Sequence, residues 1–391
     1  MHRTRALVAE PAWRAVVAMF FLNGALFGVW ASRVPAIKDR FALDPAELGL
    51  ILLALAGGAI VSFPVAGVAT DRVGPARLTR GLAAAYVPSL VLVGLSPSVP
   101  LLVIAILLFG ATFGGMDVAM NGWGAEVERA LGRPIMSGLH AMFSLGAGFG
   151  AATGYFASDA GLPPAVHFAL VALPLGAVAL LVAARPWSAP PKRPSAGEAG
   201  PALAWPRGAL LLVGLIAFGV ALGEGALADW SAIYLVSVAG ADEATAALGY
   251  AVFSAAMVTM RLLGDRVVEI FGAVPTARVS CTVAAAGVGL AVGGATVGLS
   301  LAGFLLMGIG YAVVMPLAFS RAARDPEVPA GVAIASVATL GYGGMLVGPP
   351  LIGVVAEITS LRIAFCLLAL LALVAAVLAR NLGVWASGPR L

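Results

Sequence analysis

The stretch Gly67-Val-Ala-Thr-Asp71-Arg72-Val-Gly74, with Arg77 close behind, stands between two apolar runs. Glycine and charge at such a place read as a tight connection between two rods of nonpolar chain. A second version occurs at Gly264-Asp265-Arg266 with Gly272, and Asp71 and Asp265 are 194 residues apart. Pro134 and Pro329, each opening a later apolar run, are 195 apart. Two unrelated signals at one offset point to a duplicated unit filling each half of the 391-residue chain.

Composition says where those rods lie. Hydrophobic residues make up 61% and charged residues 11%, against about 45–50% and about 25% in soluble domains. So few charges cannot cover a soluble globule of this mass. Runs such as Leu101 to Phe113 and Ile363 to Ala379 are continuously apolar, whereas a membrane barrel strand would alternate. The reading is an all-α integral membrane protein. A span needs about 20 apolar residues, so twelve spans take about 240 and leave no room for a large extramembrane domain.

Hydropathy and breaker residues predict helices at roughly 13–37, 47–69, 79–95, 99–127, 135–158, 165–184, 207–237, 245–263, 275–296, 299–318, 330–356 and 361–380. Pro186, Pro190, Pro191, Pro194, Ser195 and Gly197 mark a polar connection at the centre. The organisation is therefore an N-terminal six-helix bundle at 1–184, a cytoplasmic linker at 185–206 and a C-terminal six-helix bundle at 207–391. With a cytoplasmic N-terminus, all Lys and Arg except Arg33, Lys38, Arg40 and Arg362 fall on the cytoplasmic side. That bias supports the span count together with cytoplasmic N- and C-termini. It also accounts for the basic balance without a nucleic-acid partner. The run from Trp13 to Ile37 is too long for a signal-peptide core and reads as the first permanent span. Cys281 and Cys366 lie in apolar runs and read as small buried hydrophobes, with no metal site and no cofactor indicated.

The first charged turn, its weaker copy at Arg261-Leu-Leu-Gly264-Asp265-Arg266, the six-plus-six arrangement and the central linker resemble the major facilitator superfamily across the whole chain. Gly28-Val-Trp30-Ala-Ser-Arg33-Val-Pro35, Asp117-Val-Ala-Met-Asn121 with Glu128, and Ala228-Asp229-Trp230-Ser231 resemble its fucose-permease-like branch of bacterial inner-membrane proteins. The resemblance implies two pseudo-symmetric bundles around a midplane site, a monomer in the inner membrane, and a secondary transporter working by alternating access. In that branch an acid on span one and another on span four serve coupling and sugar binding. Asp117 is on the matching fourth span, but span one offers only the neutral Asn23.

The charged turns have a reading of their own. Asp71 and Asp265 lie at the face where spans eleven and five begin, and a helix N-terminus attracts carboxylates. We expect Asp71 to dock on the start of span eleven and Asp265 on the start of span five. Gly67, Asp71, Arg72, Gly74, Arg77, Gly264, Asp265 and Arg266 are thereby the gating candidates. Arg72, Arg77 and Arg266 are expected to hold the carboxylates in place, while Arg80 and Arg278 merely enforce topology.

An ionisable group near the bilayer centre costs about 2.5–3.5 kcal/mol on insertion scales and marks function by default. At 1.5 Å per residue, Asp117 lies about 16 Å in from Glu128, and Asp117, Asn121 and Glu128 share one helix stripe within about 40°. Buried carboxylates resist ionisation, so Asp117 and then Glu224 are the proton-coupling candidates. The structural alternative is an ion pair, with Arg33 or Arg261. Asn23, Trp30, Asn121, Trp123 and Trp230 are the substrate-binding candidates, because amides bind hydroxyls and aromatic faces cover sugar rings. The alternative for each tryptophan is packing. Glu126 points away from the stripe and is expected to cap or pair at the helix end. His140 is expected to be a hydrogen-bonded core or gate residue and His167 to pack at the lipid interface. The glycines of spans five and eleven read as close helix contacts, either sliding surfaces or ordinary packing. Gly348-Pro349-Pro350 is expected to interrupt span eleven.

These features predict proton-coupled movement of a small organic solute, sugar-like or otherwise polar. Efflux of hydrophobic compounds by proton antiport and a sensor that binds without transporting stay open. An enzyme is not expected, since no His-Glu-x-x-His, intramembrane aspartyl-protease or Walker pattern is present. The partners expected are the solute, protons and the lipid bilayer.

Overall fold

A computed structural model describes residues 2–43, 45–184, 187, 208–241, 245 and 248–383, and every regular element among them is helical. The chain divides into two compact units. One comprises Met1–Ile135, Leu139–Ala204 and Glu327–Ala335; the other comprises Met136–Gly138, Trp205–Pro326 and Ser336–Leu391. Each unit thus takes in a short segment from the opposite half of the sequence.

The first half of the sequence forms α1 (His2–Ser32), α2 (Val34–Arg40), α3 (Pro45–Val73), α4 (Pro75–Leu95), α5 (Val99–Leu131), α6 (Met136–Asp159) and α7 (Pro164–Ala183). The second forms α8 (Gly208–Ser237), α9 (Leu248–Phe271), α10 (Ala273–Gly294), α11 (Val297–Tyr311), α12 (Val314–Ala322), α13 (Ala330–Ile358) and α14 (Leu361–Leu378), then a 3-10 turn at Ala379–Leu382. In the first unit α5 packs on α1, α3 and α4, while α7 packs on α1 and α4. In the second, α11 packs on α8, α9 and α10, while α14 packs on α8 and α10. The neighbour pattern repeats, as a duplicated unit requires.

Ten stretches among the described residues are long and apolar enough to cross a membrane. The remaining long helices, α6 and α9, have 24 residues each. The first is diluted by glycine, serine and His140, the second by Arg261, Asp265, Arg266 and Glu269. Outward-facing leucines and isoleucines such as Leu181 and Ile358 are about three-quarters exposed, as side chains in contact with acyl chains must be.

Local chemistry explains the boundaries. Gly74 has φ +92 and Gly272 has φ +84, values open to glycine, and each begins the next helix. Gly74 thus closes the charged turn and lets α4 start at Pro75, whose ring suits a first helical position. The α1–α6 contact is built on backbone proximity. A methyl on Gly24 or Gly28 would strike the Phe143 or Ala147 carbonyl, and one on Gly146 or Gly150 would strike that of Phe21 or Ala25. In the second unit Gly344 and Gly348 lie in the same way against the Phe218 and Leu222 carbonyls of α8. These glycines therefore pack within each unit.

Several boundary expectations are corrected. Span one stops at Ser32, and Val34 starts the separate α2, with Pro35 in its first turn. Span ten is broken at Ala312 and Val313 between α11 and α12. The helix α13 continues from Ala330 to Ile358 without the interruption expected at Gly348-Pro349-Pro350. Cys281 is buried but Cys366 is exposed. The linker expected at 185–206 lies outside the described residues apart from Trp187.

Candidate functional site

Asp117 lies in α5, in a stretch whose residues from Phe113 to Glu128 are all buried. Four residues on, one further turn of the helix brings Asn121 onto the same face. Its Nδ2 donates to the Asp117 carbonyl at 2.8 Å and to Asp117 Oδ1 at 3.1 Å. With the amino group turned to the carboxylate, Asn121 Oδ1 faces α6, where it lies 3.1 Å from His140 Nε2. That geometry assigns the Nε2 proton to His140 as the donor. The Phe20 ring packs on the imidazole with centroids 5.4 Å apart. A carboxyl, an amide and an imidazole thus form one connected polar line inside the first unit.

Glu128, expected to extend this stripe, does something else. Its Oε2 accepts from the Ile135 N–H at 3.0 Å and closes the turn after α5. Glu126 Oε2 accepts from Trp187 Nε1 at 3.1 Å, in keeping with its expected place at the helix end. Arg33, one possible ion-pair partner for Asp117, instead donates from Nη2 to the Leu162 carbonyl at 2.6 Å.

The substrate-binding candidates fall into different surroundings. Asn23 is fully buried, with Nδ2 3.4 Å from the Phe113 carbonyl and Oδ1 without a hydrogen-bond partner. Tyr86 donates to the Asn23 carbonyl at 3.3 Å and stacks on Phe109 at 4.9 Å. Trp30 is buried with its ring 6.2 Å from that of Phe109. Trp123 is buried with Nε1 unpartnered. Trp230 is half-buried in the second unit, beside Gly353.

In the second unit Glu224 Oε2 meets Arg261 Nη2 at 3.5 Å, so the ion-pair alternative describes this carboxylate. Arg261 Nε also donates to the Ala312 carbonyl at 3.3 Å. Pro316, four residues on, has no N–H for that carbonyl, which ties the break between α11 and α12 to the placement of a charge. Tyr311, not anticipated from the sequence, has a buried, unpartnered hydroxyl and is an electrostatic neighbour of Glu224.

The charged turns close onto helix starts. Asp71 Oδ1 and Oδ2 accept from Gly331 N and Val332 N at 3.0 and 3.1 Å, inside the first unit. Asp265 Oδ1 and Oδ2 accept from Ser137 N and Gly138 N at 2.9 and 2.7 Å, inside the second. First-turn N–H groups lack partners within their own helix, and a carboxylate completes them. Small residues make the approach possible. A methyl at Gly331 would lie 2.9 Å from Asp71 Oδ2, one at Gly67 2.9 Å from the Gly331 carbonyl, and one at Gly138 2.7 Å from Asp265 Oδ2. Gly264 lies against Ser137 and Val313. The arginines do not hold these carboxylates. Arg72 and Arg77 are exposed, and Arg266 pairs with Glu269 at 2.9 Å. Backbone N–H groups do that work because they are already fixed in place.

His167 is corrected too. It is buried, with Nε2 3.1 Å from Thr153 Oγ1. Arg80, read as a topology charge, donates from Nη1 to the Ala183 carbonyl at the end of α7.

The model for the Major Facilitator Superfamily matches residues 15–343. The chain is 48% identical over 367 residues to the uncharacterized transporter y4wD of Sinorhizobium fredii, covering 94% of this chain and 97% of that one. It is 33% identical over 350 residues to the membrane protein MosC of Rhizobium meliloti, covering 89% and 84%. Among solved structures, the E. coli fucose:proton symporter FucP superposes with a TM-score of 0.78 at 16% identity, covering 96% and 99%. That likeness carries the fold. With repeated bundles, paired carboxylate-to-helix contacts and a family match over most of its length, the chain belongs to the major facilitator superfamily, as a multi-pass secondary transporter and not an enzyme.

Proposed function

We propose that the protein carries a small polar organic solute across the bacterial inner membrane together with protons, by alternating access. The observation that carries this reading is the buried line from Asp117 through Asn121 to His140. In this reading the Asp117 carboxyl accepts a proton from one side and releases it to the other. The relationship to a fucose:proton symporter in fold supports a sugar-like solute. Asp117 is the coupling group. Glu224 is the second, its pair with Arg261 opening when it takes a proton.

Asn23 Oδ1 and Trp123 Nε1 are buried polar atoms with capacity to spare, and they suit hydroxyls of a solute. Asn121 positions the coupling carboxyl and contributes to the same site, with Trp30 and Trp230 as aromatic surfaces. The gate is formed by the turns at Gly67, Asp71, Arg72, Gly74 and Arg77 and at Gly264, Asp265 and Arg266. Docking of Asp71 and Asp265 holds one face shut, and loss of those contacts opens it. Bundles at 1–184 and 207–391, joined by a cytoplasmic linker at 185–206, work as a monomer with both termini in the cytoplasm.

The test uses purified protein in liposomes. A thermal-shift screen identifies a solute, and labelled solute is then followed under an imposed pH gradient. Asp117→Asn should still exchange solute across the membrane but fail to concentrate it. Concentration by that variant overturns the assignment of Asp117, and binding without any flux overturns carriage.

A further inference from the structure

Helices α3 and α4 each pack along α5 but hardly on each other. Gly58 seats α3 against the Leu107 carbonyl of α5. Between the helices is left a groove of about 770 Å³ inside the first unit. Gly57, Val65 and Ala69 of α3, Leu78 and Leu82 of α4, and Ala111 of α5 are among the residues that line it. Val61 and Val65 form its lip, 73% and 70% exposed, so it opens outward from three helices long and apolar enough to cross a membrane. A methyl on Gly57 would meet nothing within 4 Å, which marks that part of the groove as open space.

The lining selects hydrocarbon. The hydroxyls in it, Ser62 and Thr112, are turned back on their own helices, to the Ala59 carbonyl at 2.7 Å and the Leu108 carbonyl at 2.9 Å. A polar solute would lose its hydrogen bonds there. Length selects as well. Ala69 and Gly57 are twelve residues apart, a rise of about 18 Å along α3, close to one leaflet of a hydrocarbon core about 30 Å thick.

Charge stands at the Ala69 end. Arg72 follows Ala69 by three residues and shares a stripe of α3 with Val61 and Val65, within about 40°. Arg77 immediately precedes Leu78. Both arginines are exposed, and neither makes a hydrogen bond or ion pair among the described residues. The neighbouring acid, Asp71, is committed to the N–H groups of Gly331 and Val332, and Arg80 is turned to the Ala183 carbonyl of α7. Two available guanidinium groups at the mouth of a leaflet-long apolar groove match a molecule with a phosphate at its head and hydrocarbon behind.

We propose that the groove between α3, α4 and α5 binds an acyl chain of an anionic phospholipid, whose headgroup phosphate is held by Arg72 and Arg77. This goes beyond the transport reading, because occupancy is measured without flux and stands or falls independently of Asp117 and of any solute.

The whole chain in maltoside micelles is given phosphatidylglycerol carrying a diazirine midway along one acyl chain, illuminated, and its adducts are mapped by peptide mass spectrometry. Adducts should concentrate at Leu107 and Leu108 of α5 and Leu82 of α4, saturate, and yield severalfold better to unlabelled phosphatidylglycerol than to phosphatidylcholine. Exposed Leu170, Leu173 and Leu181 of α7 report ordinary lipid contact and should show neither saturation nor preference. Gly57→Leu, which extends into the open space, should remove the groove adducts and leave those of α7. Gly148→Leu, whose Cβ also meets nothing within 4 Å, should change neither. Arg72→Gln combined with Arg77→Gln should weaken saturation about tenfold, the loss expected of two basic groups beside an anionic headgroup. If that variant cannot be recovered folded, concentrated sodium chloride makes the same test on the unaltered chain, because it screens exposed charges. Labelling spread evenly over α5 and α7, groove adducts that persist in Gly57→Leu, equal competition by the two phospholipids, or binding indifferent to salt and to both arginines overturns the proposal. So does a dimer in native mass spectrometry that Gly57→Leu abolishes, which would give the groove to a second copy.

Discussion

Both carboxylate oxygens of Asp71 are taken by consecutive N–H groups, those of Gly331 and Val332, at the first turn of α13. Hydrogen bonds to a charged group contribute about 1.5–3 kcal/mol each. Asp71→Asn keeps an acceptor but loses the charge, so the docked arrangement should weaken by a comparable amount. We expect slower solute exchange and altered labelling of cysteines placed near Gly331. Normal exchange with unchanged labelling would show that the contact does not govern opening.

The same contact can be attacked without touching its charge. A methyl at Gly331 approaches Thr70 Cβ to 2.8 Å and Asp71 Oδ2 to 2.9 Å. Overpacking of this kind costs about 1–3 kcal/mol. Gly331→Ala should therefore reproduce the Asp71→Asn phenotype, while Gly148→Ala and Gly343→Ala, which meet nothing within 4 Å, should be silent. Equal transport rates in all three would disconnect the packing from the gate.

His140 donates to Asn121, which in turn holds Asp117. Glutamine offers an amide donor of similar reach. His140→Gln should thus keep transport, whereas His140→Leu should lose most activity. Equal loss in both variants would mean that the donor to Asn121 does not matter.

Glu224 and Arg261 form a pair whose side chains are 17% and 9% exposed. Removing one partner from such a pair leaves a costly lone charge. Melting temperatures of Glu224→Gln, Arg261→Gln and the double variant should reveal a coupling of about 0.5–3 kcal/mol, with the double variant more stable than additivity allows. Strict additivity would mean that each group is satisfied elsewhere.

Much of this arrangement could be read from the chain before its coordinates. Apolar runs of span length, with glycine and proline at their ends, announced the rods, because in lipid a backbone must satisfy itself within a helix. The docking of Asp71 and Asp265 was legible because both lie at the face where spans eleven and five begin, with Pro134 and Pro329 opening those spans at nearly the offset that separates the two aspartates. Contacts between neighbouring rods were not. Helical period places Asp117 and Asn121 on one face but says nothing of which residue of α6 stands opposite, so the role of His140 needed coordinates. The arginines beside Asp71 misled for a related reason. Opposite charge adjacent in sequence suggests a pair, yet fixed N–H groups were the better-placed donors. The break at Ala312 had a local signal in Pro316, which lacks the N–H that the Ala312 carbonyl would otherwise accept from, and that signal was overlooked.

The crossing of α1 and α6 has a mechanical meaning. Gly24, Gly28, Gly146 and Gly150 bring main chain against main chain at successive turns, and knuckles interlocked so tightly have no slack in which to slip. Whatever swings during a cycle, these two rods travel as a single strut. A covalent staple between them should leave turnover intact, and the joints that flex must be sought elsewhere.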